Sequence, residues 1–328
     1  MLKIKYLILF SFLFFSIISY GQFTDDINSN RPGESMSAFS VGKTVLQAEL
    51  GIYALKEKHD LLDNEISGFG SNLDLRYGAF LEQLELHLNL QYQKANFTTR
   101  NVDNYFRLKK TIIGAKYLLY DPMKNYEKKI NVYSWKSNHK FNYRQFIPAI
   151  GIYAGVNINL SNDILSRPGI PADPKISPKF MILTQNQFGN VVLISNIILD
   201  KFSSNKQSID YVVTITRGIT SRWSGLIEIQ GFNGDYYSDA FLRGGAAFLV
   251  QENLQIDASI GKNYKNTPSI LNGGIGVSWR FDNNYNEMLL RVHKEKKDEK
   301  GKDKKGKKDK KKDKAKKRLD EVGGEKIK

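Results

Sequence analysis

Eleven ionisable residues sit in this chain with apolar or small residues on both sides: Glu49, Asp74, Arg76, Glu85, His87, Lys116, Asp210, Glu228, Arg243, Asp257 and Arg280. In an extended chain successive side chains point to opposite faces, so this spacing puts the charges on one face and the apolar neighbours on the other. A charged face of both signs, backed by an apolar one, allows two kinds of chemistry. It can close on itself as an internal salt-bridge network that fills a lumen. It can also line a narrow polar path whose charges choose the solute, with Arg76, Arg243 and Arg280 set against Glu49, Glu85 and Asp257.

Catalytic and metal chemistry find little support. Of the four histidines, His59, His87, His139 and His293, only His87 lies in an alternating segment, beside Glu85, and no second histidine stands at ligand spacing. The chain has no cysteine, which removes disulfides, thiolate metal sites and a lipid-anchored N-terminal cysteine. There is no GxSxG turn, and a Ser/His pairing of the kind a membrane phospholipase uses cannot be assigned. Gly274 and Gly276 fall inside an alternating segment with no helix after them, so they indicate close packing and not a phosphate cradle. The sequence therefore predicts no enzyme, no cofactor and no metal, with His87 as part of a polar lumen.

The elements that must carry these residues are strands. Leu254, Ile256, Ala258 and Ile260 oppose Gln255, Asp257, Ser259 and Gly261, and Ile275, Val277, Trp279 and Phe281 oppose Gly274, Gly276, Ser278 and Arg280. The same alternation sets Leu84, Leu86, Leu88, Leu90 and Tyr92 against Glu85, His87, Asn89, Gln91 and Gln93. Segments of about ten residues with this character, separated by turn residues, are the mark of a transmembrane β-barrel. Twelve are expected, over 44–56, 70–80, 83–95, 109–120, 146–159, 178–188, 190–200, 208–218, 221–232, 239–250, 253–263 and 270–281. The sixth and seventh alternate poorly.

Connection lengths supply a second signal, because such barrels have short periplasmic turns and longer outer loops. Links after even strands are short, at Leu81 and Glu82, Gly189 and Asn190, Ile219 and Thr220, and Gln251 and Glu252. Links after odd strands read as longer, from Lys56, Lys94, Ser161 and Gly231. The segment 121–143 breaks the rule: it is either a periplasmic excursion or a sign that the strand count is wrong by two. Trp223 and Trp279 fall at one interface, as an aromatic girdle requires.

Outside the barrel, 44–282, the chain divides into three parts. Residues 1–21 carry Lys3 and Lys5, an apolar run and small residues at Ser19 and Gly21, the pattern of a cleaved secretory signal. Residues 22–43 form a short plug-like segment. Residues 283–328 form a Lys-rich tail with almost no apolar side chains, expected to be disordered in the periplasm. The net charge of +15 would suggest nucleic acid, but eighteen Lys/Arg against nine Asp/Glu lie between Lys294 and Lys328. With the basicity at the ends and export implied, a nucleic-acid partner is not expected, and the tail's partner would be an acidic lipid or envelope polymer.

Five motifs, in order, resemble a family of outer-membrane barrels named for the phenol meta-degradation pathway and described as transporters. They are Asn30-Arg31-Pro32-Gly33-Glu34; Gln47, Glu49 and Gly51; Leu75-Arg76-Tyr77-Gly78 with Leu84-Glu85-Leu86; Thr216-Arg217-Gly218-Ile219-Thr220; and Asn253 to Ser259 with Ser278-Trp279-Arg280-Phe281. The resemblance spans most of 28–281 and implies an outer-membrane location and uptake of a small solute, aromatic or hydrophobic if the family's name is a guide. The basic extension after Phe281 departs from the pattern.

The expected fold is thus an all-β, antiparallel outer-membrane barrel in contact with lipid, passing a small solute through a charged lumen. The alternative is a non-transporting structural barrel tied by its tail to a periplasmic partner. A third reading, lipid modification, would rest on His87.

Overall fold

The computed structural model describes residues 27–60, 64–97, 105–124, 143–160 and 174–282. The expected signal over 1–21, most of the 121–143 segment and the tail over 283–328 lie outside the described residues. Twelve strands follow one another: β1 Leu46–His59, β2 Asn64–Gly78, β3 Leu84–Phe97, β4 Tyr105–Tyr120, β5 Ala149–Ile158, β6 Ile176–Phe188, β7 Val191–Asp200, β8 Ser208–Gly218, β9 Trp223–Gly234, β10 Ser238–Gln251, β11 Leu254–Asn263 and β12 Ser269–Phe281. Each pairs with its chain neighbours and β12 returns to β1, so the sheet closes into an antiparallel barrel. Closure matters because hydrocarbon offers no hydrogen bonds to an open strand edge.

The period-two pattern sorts side chains across the wall. Ile227, Ile229, Ile256, Ile260 and Ile275 are exposed on the outside, whereas Glu49, Glu85, Glu228 and Ser278 are fully enclosed. An outside of isoleucine and leucine around an inside of carboxylates suits a lipid solvent and no other. Trp223 stacks near Phe248 and Trp279 near Phe281, each pair with ring centroids 4.8 Å apart. Both tryptophans lie on the outer face at the end that carries the short turns.

Two registers at the barrel's closing strand bear on the site. Between β1 and β12, Gln47 faces Arg280, Glu49 faces Ser278 and Gly51 faces Gly276. Between β1 and β2, Glu49 faces Asp74. At one of the two-residue turns Gly189 takes a left-handed φ of 61° between β6 and β7.

The structure corrects the sequence at two links. The loops expected from Lys56 and from Gly231 are largely strand: β1 and β2 stay paired out to His59 and Asn64, and β9 and β10 out to Asn233 and Ser238. These outer extensions are polar on both faces, as in Lys56, Glu57 and Lys58, so hydropathy does not reveal them although their ladders continue. Lys56 and Glu65 form an ion pair there at 2.7 Å. The count of twelve stands, and the long link between β4 and β5 therefore leaves from the short-turn end, closing on a 3-10 turn at Tyr143–Phe146.

Part of the interior is apolar. Ile112 and Leu118 of β4, Tyr153 of β5, Met181 and Leu183 of β6, Ile198 of β7 and Val212 of β8 form one buried cluster with Met36 and Ala38 of the N-terminal segment. Here β6 and β7 are apolar on both faces, and the contrast that marks a membrane strand vanishes. A charge on the outer face at mid-depth, such as Ile229→Arg on β9, should destabilise the barrel by about 2–4 kcal/mol. Ile229→Leu should be nearly neutral. Unfolding from lipid vesicles, followed by the gel shift of the folded barrel, measures both.

Candidate functional site

Residues 27–45 enter the barrel from the short-turn end, rise to an apex around Arg31 to Glu34 and return to begin β1. Ile27 N donates to Glu252 O at 3.0 Å, and on the way back Thr44 N donates to Gly78 O at 2.8 Å. Ser35, Met36, Ala38 and Val41 are buried. An irregular segment in this position cannot satisfy its own backbone, so each amide and carbonyl needs a partner on the wall.

Four successive strands supply a cluster at the lower level. Arg76 of β2 pairs through Nη1 with Glu49 of β1 at 3.0 Å and through Nε with Glu85 of β3 at 2.8 Å. Lys116 of β4 joins Glu85 at 3.1 Å, and all four side chains are wholly enclosed. Buried charges of this kind are tolerable only when paired and fully hydrogen-bonded. Their remaining capacity is spent on the segment. Arg76 donates to Asn28 O at 2.7 Å, and Lys116 donates to Ser37 O and Phe39 O at 3.0 and 2.8 Å. Glu85 accepts from Val41 N at 2.9 Å, and Glu49 accepts from Ser29 Oγ at 3.0 Å.

The apex is held by a second set. Arg31 Nη2 and Nε meet the two oxygens of Asp257 on β11 at 3.1 and 3.2 Å, a bidentate pair. Its guanidinium lies against Gly51 and Gly276, register partners on β1 and β12 whose missing side chains leave the wall bare there. Two strands away, Glu228 of β9 accepts from Glu34 N at 2.9 Å, Ser35 N at 3.3 Å and Thr214 Oγ1 at 2.7 Å, and pairs with Arg243 of β10. Gly33 leaves room beneath it, since a Cβ there would stand 2.5 Å from Glu228 Oε2 and displace a carboxylate held by Thr214 and Arg243. Asn196 of β7 both accepts from Met36 N and donates to Met36 O, each at 2.9 Å.

All eleven residues singled out in the sequence turn to the interior, but in separate groups. Glu49, Arg76, Glu85 and Lys116 form one, Glu228 with Arg243 a second, and Asp257 with Arg31 a third. His87 lies between Asp74 and Tyr153, with Nε2 3.0 Å from Asp74 Oδ1 and Nδ1 3.2 Å from the Tyr153 hydroxyl. Arg280 is buried beside Gln47 at the lower end. Asp210 stands apart, high on β8. Among the described residues no three His, Asp or Glu gather as a metal site. Residues that patterning missed include Arg31 and Glu34, which lie in no strand, and Lys110, Lys179 and Asp200. Strand parity would have found Lys110, six residues before Lys116, and Lys179, next to Met181 on the inward face of β6.

Above the apex the lumen opens into two cavities that share Gly33 and Glu34. One of about 300 Å³ is lined by Tyr53, Asn72, Gln91, Phe241, Arg243 and Asn272. The other, about 190 Å³, lies over the apolar cluster and is lined by Lys110, Lys179, Asp200 and Asp210. Replacing Arg76 by Met would leave Glu49 buried without its cation and Glu85 with Lys116 alone, at a cost of about 3–5 kcal/mol. Arg222→Met, in the exposed turn before β9, should cost under about 0.5 kcal/mol. Thermal unfolding of the detergent-solubilised barrel compares the two.

Comparison with known proteins agrees with this geometry. The COG4313 outer membrane channel from Pseudomonas putida F1 superposes with a TM-score of 0.51 at 9% identity, over 78% of this chain and 100% of that one. The translocator domain of the autotransporter NalP from Neisseria meningitidis gives 0.44 at 8% identity, over 77% and 90% of the two chains. The CymD monoaromatic hydrocarbon channel gives 0.42 at 8%, over 74% and 90%. The first likeness shows the shared barrel fold, and the other two bear no weight. No curated protein matches the sequence. The family model described as "Putative MetA-pathway of phenol degradation" matches residues 29–281, from the Asn30-Arg31-Pro32-Gly33-Glu34 apex through the last strand. The chain is an outer-membrane β-barrel and belongs to that family.

Proposed function

We propose that this barrel admits a small solute from outside the cell and that the segment 27–45 is its gate. The observation that carries the reading is the division of the lumen. Its outer half holds two cavities lined by charges of both signs and by aromatic rings, while its inner half is packed by the segment. Short turns and both barrel ends lie on the packed side, which makes that side periplasmic. A solute reaching the cavities must displace the segment to go further.

The contacts suit such a gate. Apart from the apolar contacts of Met36, Ala38, Phe39, Val41 and Val45, the segment is held by hydrogen bonds and ion pairs, which water and neighbouring groups can replace one at a time. Selectivity then belongs to the residues facing the cavities, among them Asp74, His87, Asp210 and Arg243. Glu49, Arg76, Glu85 and Lys116 hold the gate, and Arg280 lies at the level of the turns. A solute aromatic or hydrophobic in part fits Phe241, Tyr53 and the apolar floor under the smaller cavity.

Planar-bilayer recordings test this. The wild type should show small, infrequent openings. Arg31→Ala with Asp257→Asn removes a charge-assisted pair worth about 1.5–3 kcal/mol without leaving an orphan charge, and should raise the open fraction about tenfold or more. Equal conductance and open fraction in the two proteins would refute a gate at the apex, and liposome swelling with no solute entry in either would refute passage.

A further inference from the structure

The smaller cavity carries charges that the gate does not use. Asp210, only 7% exposed, lines it, and among the described residues its Oδ1 has no hydrogen-bond partner. A buried carboxylate oxygen left in this state is costly unless something completes it, because desolvation is not returned by any donor. Four carboxylates border the cavity, Glu34, Asp74, Asp200 and Asp210, against two ammonium groups, Lys110 and Lys179. Asp74 is already occupied by His87, Asn72 and Asn89, and Asp200 by the amide of Asn157 at 2.8 Å. Glu34 reaches Arg243 at 3.6 Å and the Asp210 carboxylate meets Ser208, so the open acceptor is Oδ1 of Asp210, in surroundings of net negative charge.

The floor of the cavity, on the same strands and two residues deeper, has a different character. Met36, Ile112, Met181, Ile198 and Val212 line the same space, with Phe232. Water alone would complete Asp210 but would leave this floor wetted, whereas an apolar body would dry it. A volume of about 190 Å³ limits the occupant to a small molecule. Resting on the reading of the barrel as a solute channel, we propose that this cavity is a binding site for a small organic cation, an amine with an apolar body. Its ammonium donates to Asp210 Oδ1 and its body lies on the Met36 to Val212 floor. Lys110 and Lys179 border the same cavity and their charge weakens binding of any cation, so it is the apolar floor that favours an amine over a bare metal ion.

The full-length barrel in detergent is titrated by calorimetry with three probes of matched size: phenethylammonium, 2-phenylethanol and 3-phenylpropionate. The cation should bind about tenfold more tightly than the alcohol, and the anion most weakly. Asp210→Asn should erase the cation's advantage, leaving the alcohol unchanged. Lys110→Gln, which removes a repelling charge from the same cavity, should tighten the cation a few-fold; loss of fold alone would not produce that gain. Binding of the alcohol or the anion as tight as that of the cation overturns the proposal. So does an Asp210→Asn variant that keeps the preference. Liposome swelling with an uncharged sugar separates the two readings. Sugar entry without cation binding removes the site and leaves the channel, whereas cation binding without sugar entry removes the channel and leaves the site.

Discussion

The structure depends on one constraint: a stretch of irregular backbone lies inside a barrel, and every polar group on it must be met. Strands satisfy one another through their ladders, but residues 27–45 have no ladder. Their amides and carbonyls are met instead by side chains from most of the way round the wall, Glu49, Arg76 and Glu85 on one side, Lys116, Gln185 and Asn196 on another, and Glu228 opposite. Glu49, Arg76, Glu85, Lys116 and Glu228 are charged because a charged partner makes the stronger hydrogen bond in a poorly hydrated place. They come in pairs because an unpaired charge could not be buried there. Wall and segment thus stabilise each other, and neither arrangement makes sense alone.

This mutual dependence explains what the sequence made legible. Leu84 to Tyr92 and Ile275 to Phe281 alternate cleanly because their inner faces meet a polar lumen and their outer faces meet lipid. Around Met181 to Leu199 the inner face meets Met36 and Ala38 and is itself apolar, so period-two reasoning has nothing to detect. The extensions of β1, β2, β9 and β10 beyond the membrane fail for the opposite reason, being polar on both faces. Inward ionisable residues could be found one by one from parity. Their division into groups could not, since Arg76 meets Glu49 and Glu85 through strand neighbours, whereas Asp257 meets Arg31 from a segment with no periodicity at all. The Asn30-Arg31-Pro32-Gly33-Glu34 motif was visible only as a resemblance. Its physical content, an arginine against bare glycines and a glycine under a glutamate, needed three dimensions.

Charge in this lumen therefore has two tasks that the sequence alone cannot separate. Near the short-turn end it is enclosed and structural, and its removal should be felt as lost stability. Above the apex it faces open space beside aromatic and aliphatic side chains, where it can act on a solute. The boundary between the two is the apex itself, where Glu34 touches both cavities and Arg243 reaches Glu34 at 3.6 Å as well as Glu228.

The central claim is that the segment must leave the wall for a solute to pass. Ser29 Oγ and Ser278 Oγ are 2.8 Å apart, joining the segment to β12, and the chain has no cysteine of its own. The double variant Ser29→Cys with Ser278→Cys can be locked by oxidation and released by reduction, with solute entry into liposomes measured in both states. The account predicts that the oxidised protein is closed and that reduction restores entry. Equal entry in the two states would contradict it.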